Sequence, residues 1–293
     1  MIWGDEKRLC LLYALTPIHA GAGQALKAVD LPIQRERHTA WPMVQASGVK
    51  GALRDWCEKT WENNGIDKDL AECIFGRAGE EGNNWAGAVT VTDARVLFFP
   101  VRSNVAPFVH ITCPAVLKRF KEELALLGKD LKTSFKVGKE GFCPLKGDFP
   151  NKIILEDMLV SKESSSQANN DLDPYLDQVE KAVVVSDEVF GFLVRTATEV
   201  QAHIAIDDDT GTAKEGSLRY QEYLPADSVL YFLAIFSADR KPDSKCKEKG
   251  ARLLANDVAN LVTAAVSTHL QIGGDFTLGK GICKVSWIQP NGY

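Results

Sequence analysis

A strand–helix–strand pattern occurs twice in this chain, once near each end, and that repetition limits the fold more than any other feature. Near the start, Leu9 to Thr16 is an apolar run that stops at Pro17, as a strand does where a residue cannot donate to the ladder. Ser47 then stands where a helix N-cap is expected, and Val49, Ala52, Leu53, Trp56 and Cys57 follow at helical spacing. Trp61 extends that stripe until Asn63-Asn64-Gly65 closes the helix, and Ala88 to Arg95 alternates as a strand that Leu97 to Val101 continues. Near the end, Val229 to Phe236 reads as an apolar strand and Ala251 to Leu270 as an amphipathic helix. Leu254, Val258, Leu261, Val262, Ala265 and Val266 form its buried stripe, and Ile282 to Ile288 is a closing strand.

Strand, helix, strand, insertion, strand, helix, strand is the split βαββαβ order of an α+β, ferredoxin-like (RRM-like) fold. The boundaries expected are 1–101 with 226–293 for that unit and 102–225 for the insertion. Within the insertion, Pro114 to Leu127 is predicted helical, with Val116, Leu117, Phe120 and Leu124 on one face. Ser161 to Asp171 is polar and Ser-rich, a composition that favours flexibility. Val200 to Ile206 and Leu218 to Leu224 read as arms of a long β-hairpin whose tip is Asp207-Asp208-Asp209-Thr210-Gly211. Between Gln24 and Gln45 no period is sustained and Pro32 and Pro42 intervene, so a long mobile loop is expected there.

No apolar run approaches the ~20 residues of a membrane span, and no small-residue cleavage site follows the first apolar stretch, so a cytoplasmic protein without membrane partners is expected. Seven scattered cysteines without a CxxC pair argue for buried, reduced thiols and against structural zinc. The net charge of −5 speaks against a surface that coats itself with nucleic acid everywhere. A local anion site remains open, because Lys27 to Arg54 holds five basic residues against Asp30 and Glu36.

Four places could carry chemistry. Gly274 to Lys280 fits GxxxxGK, but Gly281 replaces the metal-binding hydroxyl, and a helix precedes where a P-loop needs one to follow. Two readings remain for this Gly-rich stretch: a connection needing positive φ, or a loop whose bare N–H groups approach phosphates. Lys50 and Arg54 stand at i, i+4 in the first turns of the predicted helix, with Gly51 leaving the backbone open, and could cradle a phosphate or form a solvated basic face. Asp30 could hold a divalent cation, orient a ribose hydroxyl or shape a turn, and His19 could act as acid or base or be structural. Glu222 lies between Gln221 and Tyr223 on the return arm of the hairpin, where the tyrosines Tyr220 and Tyr223 could stack on bases or pack across strands.

Three segments taken together, Thr16-Pro17-Ile18-His19-Ala20-Gly21-Ala22-Gly23, Val29-Asp30-Leu31-Pro32-Ile33-Gln34-Arg35-Glu36 and Ser47-Gly48-Val49-Lys50-Gly51-Ala52-Leu53-Arg54, with Ile272 to Gly281 closing the set, resemble the RAMP superfamily of CRISPR proteins. The second block and Glu222-Tyr223-Leu224-Pro225 narrow the resemblance to the backbone subunits of the type III-B (Cmr) effector complex. The resemblance is dense from Tyr13 to Trp56 and from about Val194 onward, and thin over Arg102 to Glu180. It implies a ferredoxin-like palm with an inserted lid and a hairpin thumb, copies stacked in a filament along guide RNA, other Cmr subunits as partners, and target RNA cut once per subunit. By the same resemblance Ser47, Lys50, Arg54, Gly273, Gly274 and Lys280 would face guide RNA. Asp30 would be the cleaving loop aspartate, with a divalent cation (Mg2+ or Mn2+), and His19 and Glu222 would be secondary catalytic candidates. Gly48 and Phe276-Thr277 depart from the family pattern, where a second Ser and a Glu-Thr pair are usual. A non-catalytic guide-binding scaffold is the competing expectation. A guide-processing nuclease of the same superfamily is disfavoured by the Val29–Glu36 block.

Overall fold

The first strand is β1, Glu6–Ala14, whose middle residues Arg8 to Leu12 are all buried. The computed structural model describes residues 5–26, 28–65, 69–77, 84–163, 170–241 and 252–290. In chain order the further strands are β2 Met43–Val44, β3 Gly76–Arg77, β4 Trp85–Ala86, β5 Val89–Val91, β6 Ala94–Arg102, β7 Phe108–Thr112 and β8 Gly141–Lys146. They continue as β9 Lys152–Leu155, β10 Met158–Lys162, β11 Ala182–Val185, β12 Glu199–His203, β13 Arg219–Tyr223, β14 Val229–Phe236, β15 His269–Gln271 and β16 Ile282–Ile288. The helices are α1 Ala46–Asn63, α2 Asp69–Phe75, α3 Pro114–Ala125, α4 Asp187–Thr196 and α5 Ala255–Ala265.

A twelve-stranded mixed sheet runs in the order β15-β16-β1-β14-β6-β7-β11-β8-β10-β9, with β2 also on β6 and β5 also on β14. The four strands β16, β1, β14 and β6 pair antiparallel, and α1 and α5 pack on each other and against this part of the sheet. All eight residues of β14 are buried, which places Tyr231, Phe232 and Phe236 in the core. Each such side chain contributes about 1.5–3 kcal/mol by leaving water. β6 joins the two halves of the sheet. Its first part pairs with β14, and Phe99 to Arg102 pair with β7 of the insertion. Leu11 and Tyr13 line a cleft of ≈ 970 Å³ that residues 128–130 and 171–178 wall on the other side.

Several boundaries differ from expectation, each for a tertiary reason. Ser47 is not the N-cap. The helix starts at Ala46, Gln45 makes no side-chain cap, and Asp93 from the neighbouring strand connection accepts the Ala46 N–H at 2.8 Å. Helix α5 is shorter than Ala251–Leu270. Asp257 accepts the N–H of Leu254 at 2.9 Å, which leaves Leu254 exposed outside the stripe, whereas Val258, Val262 and Val266 are buried. The indole N–H of Trp287 donates to the Val266 carbonyl at 2.7 Å, closing the helix end, and His269–Gln271 leave it to pair with β16.

The stretch 24–45, expected to lack structure of its own, carries β2 and isolated bridges joining Gly21 to Ile33, Leu31 to Gln221 and Arg35 to Pro42. Ile33, Trp41 and Val44 are buried in the core. Glu36 anchors the same stretch: Arg119 of α3 donates to both its oxygens at 3.0 and 2.9 Å, and Thr39 donates at 2.6 Å. The hairpin arms pair from Glu199 with Tyr223 to His203 with Arg219, and Asp207 accepts the N–H groups of Asp209 and Thr210 to close the tip. The Ser-rich stretch falls largely on residues 164–169, outside the described residues. Cys10, Cys57, Cys113, Cys143 and Cys283 are free and buried, but Cys73 is disulfide-bonded, against the expectation of reduced thiols throughout. Cys246 lies outside the described residues. Among the described residues no helix is long and apolar enough to cross a membrane.

Candidate functional site

Residues 30–33 lie along the free edge of β13, and this pairing builds the site. The N–H groups of Asp30 and Leu31 donate to the Tyr220 carbonyl at 3.0 and 3.1 Å, and the Glu222 N–H donates to the Leu31 carbonyl at 3.0 Å. Oδ2 of Asp30 accepts the Tyr220 N–H at 2.7 Å, so one carboxylate oxygen is committed to the backbone and Oδ1 has no partner among the described residues. The ring of Tyr220 is exposed beside it. Val200 and Ile204 are exposed on β12 and beyond it.

His19 and Glu222 meet on the same strand. Nδ1 of His19 lies 2.8 Å from the Glu222 carbonyl, which can only accept, so Nδ1 carries the proton and Nε2 of the neutral ring is an acceptor. Nε2 has no hydrogen-bond partner among the described residues. A Cβ on Gly21 would stand 2.9 Å from it, so the glycine keeps that nitrogen open. Glu222 is different. Its Oε1 accepts from Arg35 at 2.6 Å and Thr198 at 2.8 Å, and its Oε2 accepts the Ile33 N–H at 3.0 Å. That carboxylate is buried and fully engaged, which suits an anchor better than an acid or base.

The Gly-rich stretch packs beneath His19. The N–H of Gly274 donates to the His19 carbonyl at 2.7 Å, and that of Gly281 donates to the Pro17 carbonyl at 2.9 Å. Gly273 has φ +87°, and a Cβ there would stand 2.6 Å from the His19 oxygen, so close packing of two backbones is one demand this loop meets. Asp275 accepts from Gln221 at 2.5 Å and from the Tyr223 hydroxyl at 3.0 Å, tying the loop to the hairpin base. Lys280, expected to face RNA, lies 4.6 Å over the Tyr223 ring and donates to Gln201 at 3.2 Å. Phe276 and Leu278 are exposed at the turn.

On α1 the basic residues separate in role. Arg54 bonds Glu58 at 2.7 Å and the Gly76 carbonyl at 3.0 Å. Lys50 is half-buried and has no hydrogen-bond or ion-pair partner among the described residues. Burial, then the charges of Arg54 and Arg240, lowers its pKa below the usual lysine range. A cation left among cations is a place where an anion would be stabilised. Ser47 is exposed one turn earlier, and Gly51 meets nothing within 4 Å. Lys27 lies outside the described residues.

Among the described residues no three of His, Cys, Asp and Glu gather as a metal cage. One free carboxylate oxygen at Asp30 matches the way Mg2+ is commonly held, through one or two carboxylates with substrate phosphates and water. Arg240 escaped the sequence reading because it lies in no motif, and Asp275 was read only as part of the Gly-rich stretch, with no partner of its own. Arg35 was counted as local charge and as part of the Val29–Glu36 block, without a role of its own. Nothing in the sequence pairs it with a glutamate 187 positions away.

The family model described as the RAMP superfamily matches residues 11–284. The chain is 33% identical over 290 residues to "CRISPR system Cmr endoribonuclease Cmr4" of Pyrococcus furiosus, covering 94% of this chain and 93% of that protein. The crystal structure of oligomeric Cmr4 from the same organism aligns with a TM-score of 0.70 at 28% identity, over 96% of this chain and 97% of that one. A chain of the type III-B Cmr-beta complex bound to cognate target RNA aligns with a TM-score of 0.76 at 21% identity, over 97% and 98% of the two chains, a likeness of fold.

Proposed function

This chain belongs to the RAMP superfamily, as a type III-B backbone subunit of the Cmr4 family, and from that premise we propose that it binds guide RNA in a filament of its own copies and cuts complementary target RNA through Asp30. The observation that carries the reading is the convergence of Asp30, His19 and Glu222 on Tyr220 to Glu222 of one strand. Residues two apart on a strand are about 6.5–7 Å apart, the scale of one nucleotide linkage. The antiparallel order β16-β1-β14-β6 with two crossover helices supports reading this unit as a ferredoxin-like palm. The projecting β12–β13 pair supports reading it as a thumb beside Asp30.

The chemistry needs no nucleophile from the protein. The 2′-oxygen of the target attacks the adjacent phosphorus, the bond to the 5′-oxygen breaks, and a cyclic phosphate and a 5′-hydroxyl result. Asp30 presents its free oxygen to the reacting linkage, held in place by the Tyr220 N–H. Nε2 of His19 can take the 2′ proton. A divalent cation, Mg2+ or Mn2+, bound at Asp30 would neutralise charge on the phosphate. Glu222 fixes the backbone around both residues. Lys50, with Ser47 and the open backbone at Gly51, supplies the anion site for guide phosphates. A single carboxylate is a weak catalyst, so the isolated subunit should cut poorly, with guide, target, neighbouring copies and other Cmr subunits completing the site.

The test is target cleavage by the reconstituted complex with wild type and Asp30→Asn, in Mg2+ and in EDTA. Regularly spaced cuts that disappear in the variant, with guide and target still bound, support the assignment. Undiminished cutting refutes it and favours a second reading, a guide-binding scaffold in which Asp30 only shapes its segment. The bond from Tyr220 N–H to the Asp30 carboxylate is the observation that favours that alternative.

A further inference from the structure

We propose that Arg35 is a positioning residue for target cleavage, setting the place of Asp30 through Glu222; this rests on the assignment of cleavage to Asp30. Asp30 itself has few ties. Its N–H and one oxygen bond the backbone of Tyr220, and Ala25 donates to its carbonyl at 2.9 Å. The register of its segment on β13 is also fixed one and three residues later, by Glu222 N–H on the Leu31 carbonyl and by Ile33 N–H on Glu222 Oε2. A one-residue slip of such a segment turns every side chain to the opposite face. Among the described residues, the side chain of Glu222 is therefore the one side-chain anchor from β13 that joins these backbone bonds in holding the register that sets which way Asp30 faces.

Arg35 holds that side chain. One nitrogen of its guanidinium donates to Glu222 Oε1 at 2.6 Å, and the other donates to the carbonyls of Ala40 at 2.8 Å and Val194 at 3.0 Å. Three separate parts of the chain meet on one planar fork: the return of the Asp30 segment at Ala40, the last turn of α4 at Val194, and β13. Thr198, just past α4, donates to the same Glu222 oxygen at 2.8 Å. Ammonium geometry cannot reproduce this, because a lysine presents a point charge and no fixed fork. Without Arg35, Glu222 stays buried with only Thr198 and the Ile33 N–H, and an uncompensated buried carboxylate pulls away from its backbone partner.

The test uses the complete complex, assembled with guide RNA, carrying Arg35→Lys or Arg35→Gln, each also combined with Asp30→Asn. Single-turnover cleavage of saturating target should fall about 30-fold or more for Arg35→Gln and about 10-fold or more for Arg35→Lys, with target affinity changed less than 2-fold. On the Asp30→Asn background, Arg35→Gln should change the residual rate less than 2-fold, because the residue it positions is already gone. Equal losses on both backgrounds would overturn the proposal, since a general weakening of the fold acts regardless of Asp30. Wild-type rates for the Arg35 variants, or complexes that no longer assemble with either variant, would overturn it as well. If Asp30→Asn alone cuts at the wild-type rate, the Asp30 assignment fails first, a result distinguishable from failure at Arg35.

Discussion

Glu36 and Glu123 sit in one ion network yet should respond oppositely to loss of charge. Glu36 takes both its bonds to Arg119 and one from Thr39, and Arg119 also lies 4.8 Å over the Trp41 ring. Burial raises its pKa, but Thr39, Arg119 and Arg95 outweigh burial and leave it below the ordinary carboxylate value. Glu123 bonds Arg95 at 2.8 Å while its other oxygen is buried without a partner, and burial, only partly offset by Arg95, raises its pKa. Glu36→Gln keeps one neutral acceptor and loses charge-assisted bonds to a largely buried guanidinium, a cost of about 2–3 kcal/mol. Arg95, a little over a third exposed, adds little to that figure. At roughly 2 °C per kcal/mol for a chain of this size, the melting temperature at pH 7 should drop by about 4–6 °C. Glu123→Gln gives the orphaned oxygen's place to a donor group and should stay within about 1 kcal/mol of wild type.

The pH dependence separates the two further. A carboxylate with a lowered folded pKa contributes stability above its ordinary value and loses it as pH falls through the folded value. The Glu36→Gln deficit should therefore be full at pH 7 and shrink below about 4.5. For Glu123 the sign reverses: stability is lost as pH rises from about 4.5 through the raised folded value, so Glu123→Gln should gain relative to wild type on going from acid to neutral pH. Thermal unfolding of wild type and both variants at pH 7 and in acid, followed by tryptophan fluorescence, gives the comparison. Equal losses for the two variants at pH 7, or a Glu36→Gln deficit undiminished in acid, would refute the reasoning.

Lys50→Gln should weaken guide RNA binding about equally for all guide sequences and lower the salt slope of log K by about 1, as filter-binding titrations over a range of salt would show; an unchanged slope removes Lys50 from the phosphate contact. Gly273→Ala should cost about 2 kcal/mol or more, from the left-handed backbone and from displacing the His19 carbonyl that accepts the Gly274 N–H, and a melting temperature equal to wild type would contradict it.

Periodicity and motif spacing alone determined the strand–helix–strand halves: β14 and β16 have the bounds read from their apolar runs, and the stripe of α1 buries Val49, Leu53, Cys57 and Trp61 as its spacing requires. The hairpin arms and the buried face of α3 were legible for the same reason, because alternation and helical period are local properties. Asp30, His19 and Glu222 were nameable from their segments, but not their unequal condition. Only the tertiary structure decided that Asp30 keeps an oxygen free while Glu222 is closed by Arg35, Thr198 and Ile33. It likewise decided that Asp93 caps α1, that Trp287 ends α5, and that Lys280 covers Tyr223. Each of these is a bond between residues far apart in the chain. Local pattern fixes which face of an element is apolar, whereas the partner of a polar group is set by which distant backbone the folded chain brings within 3 Å.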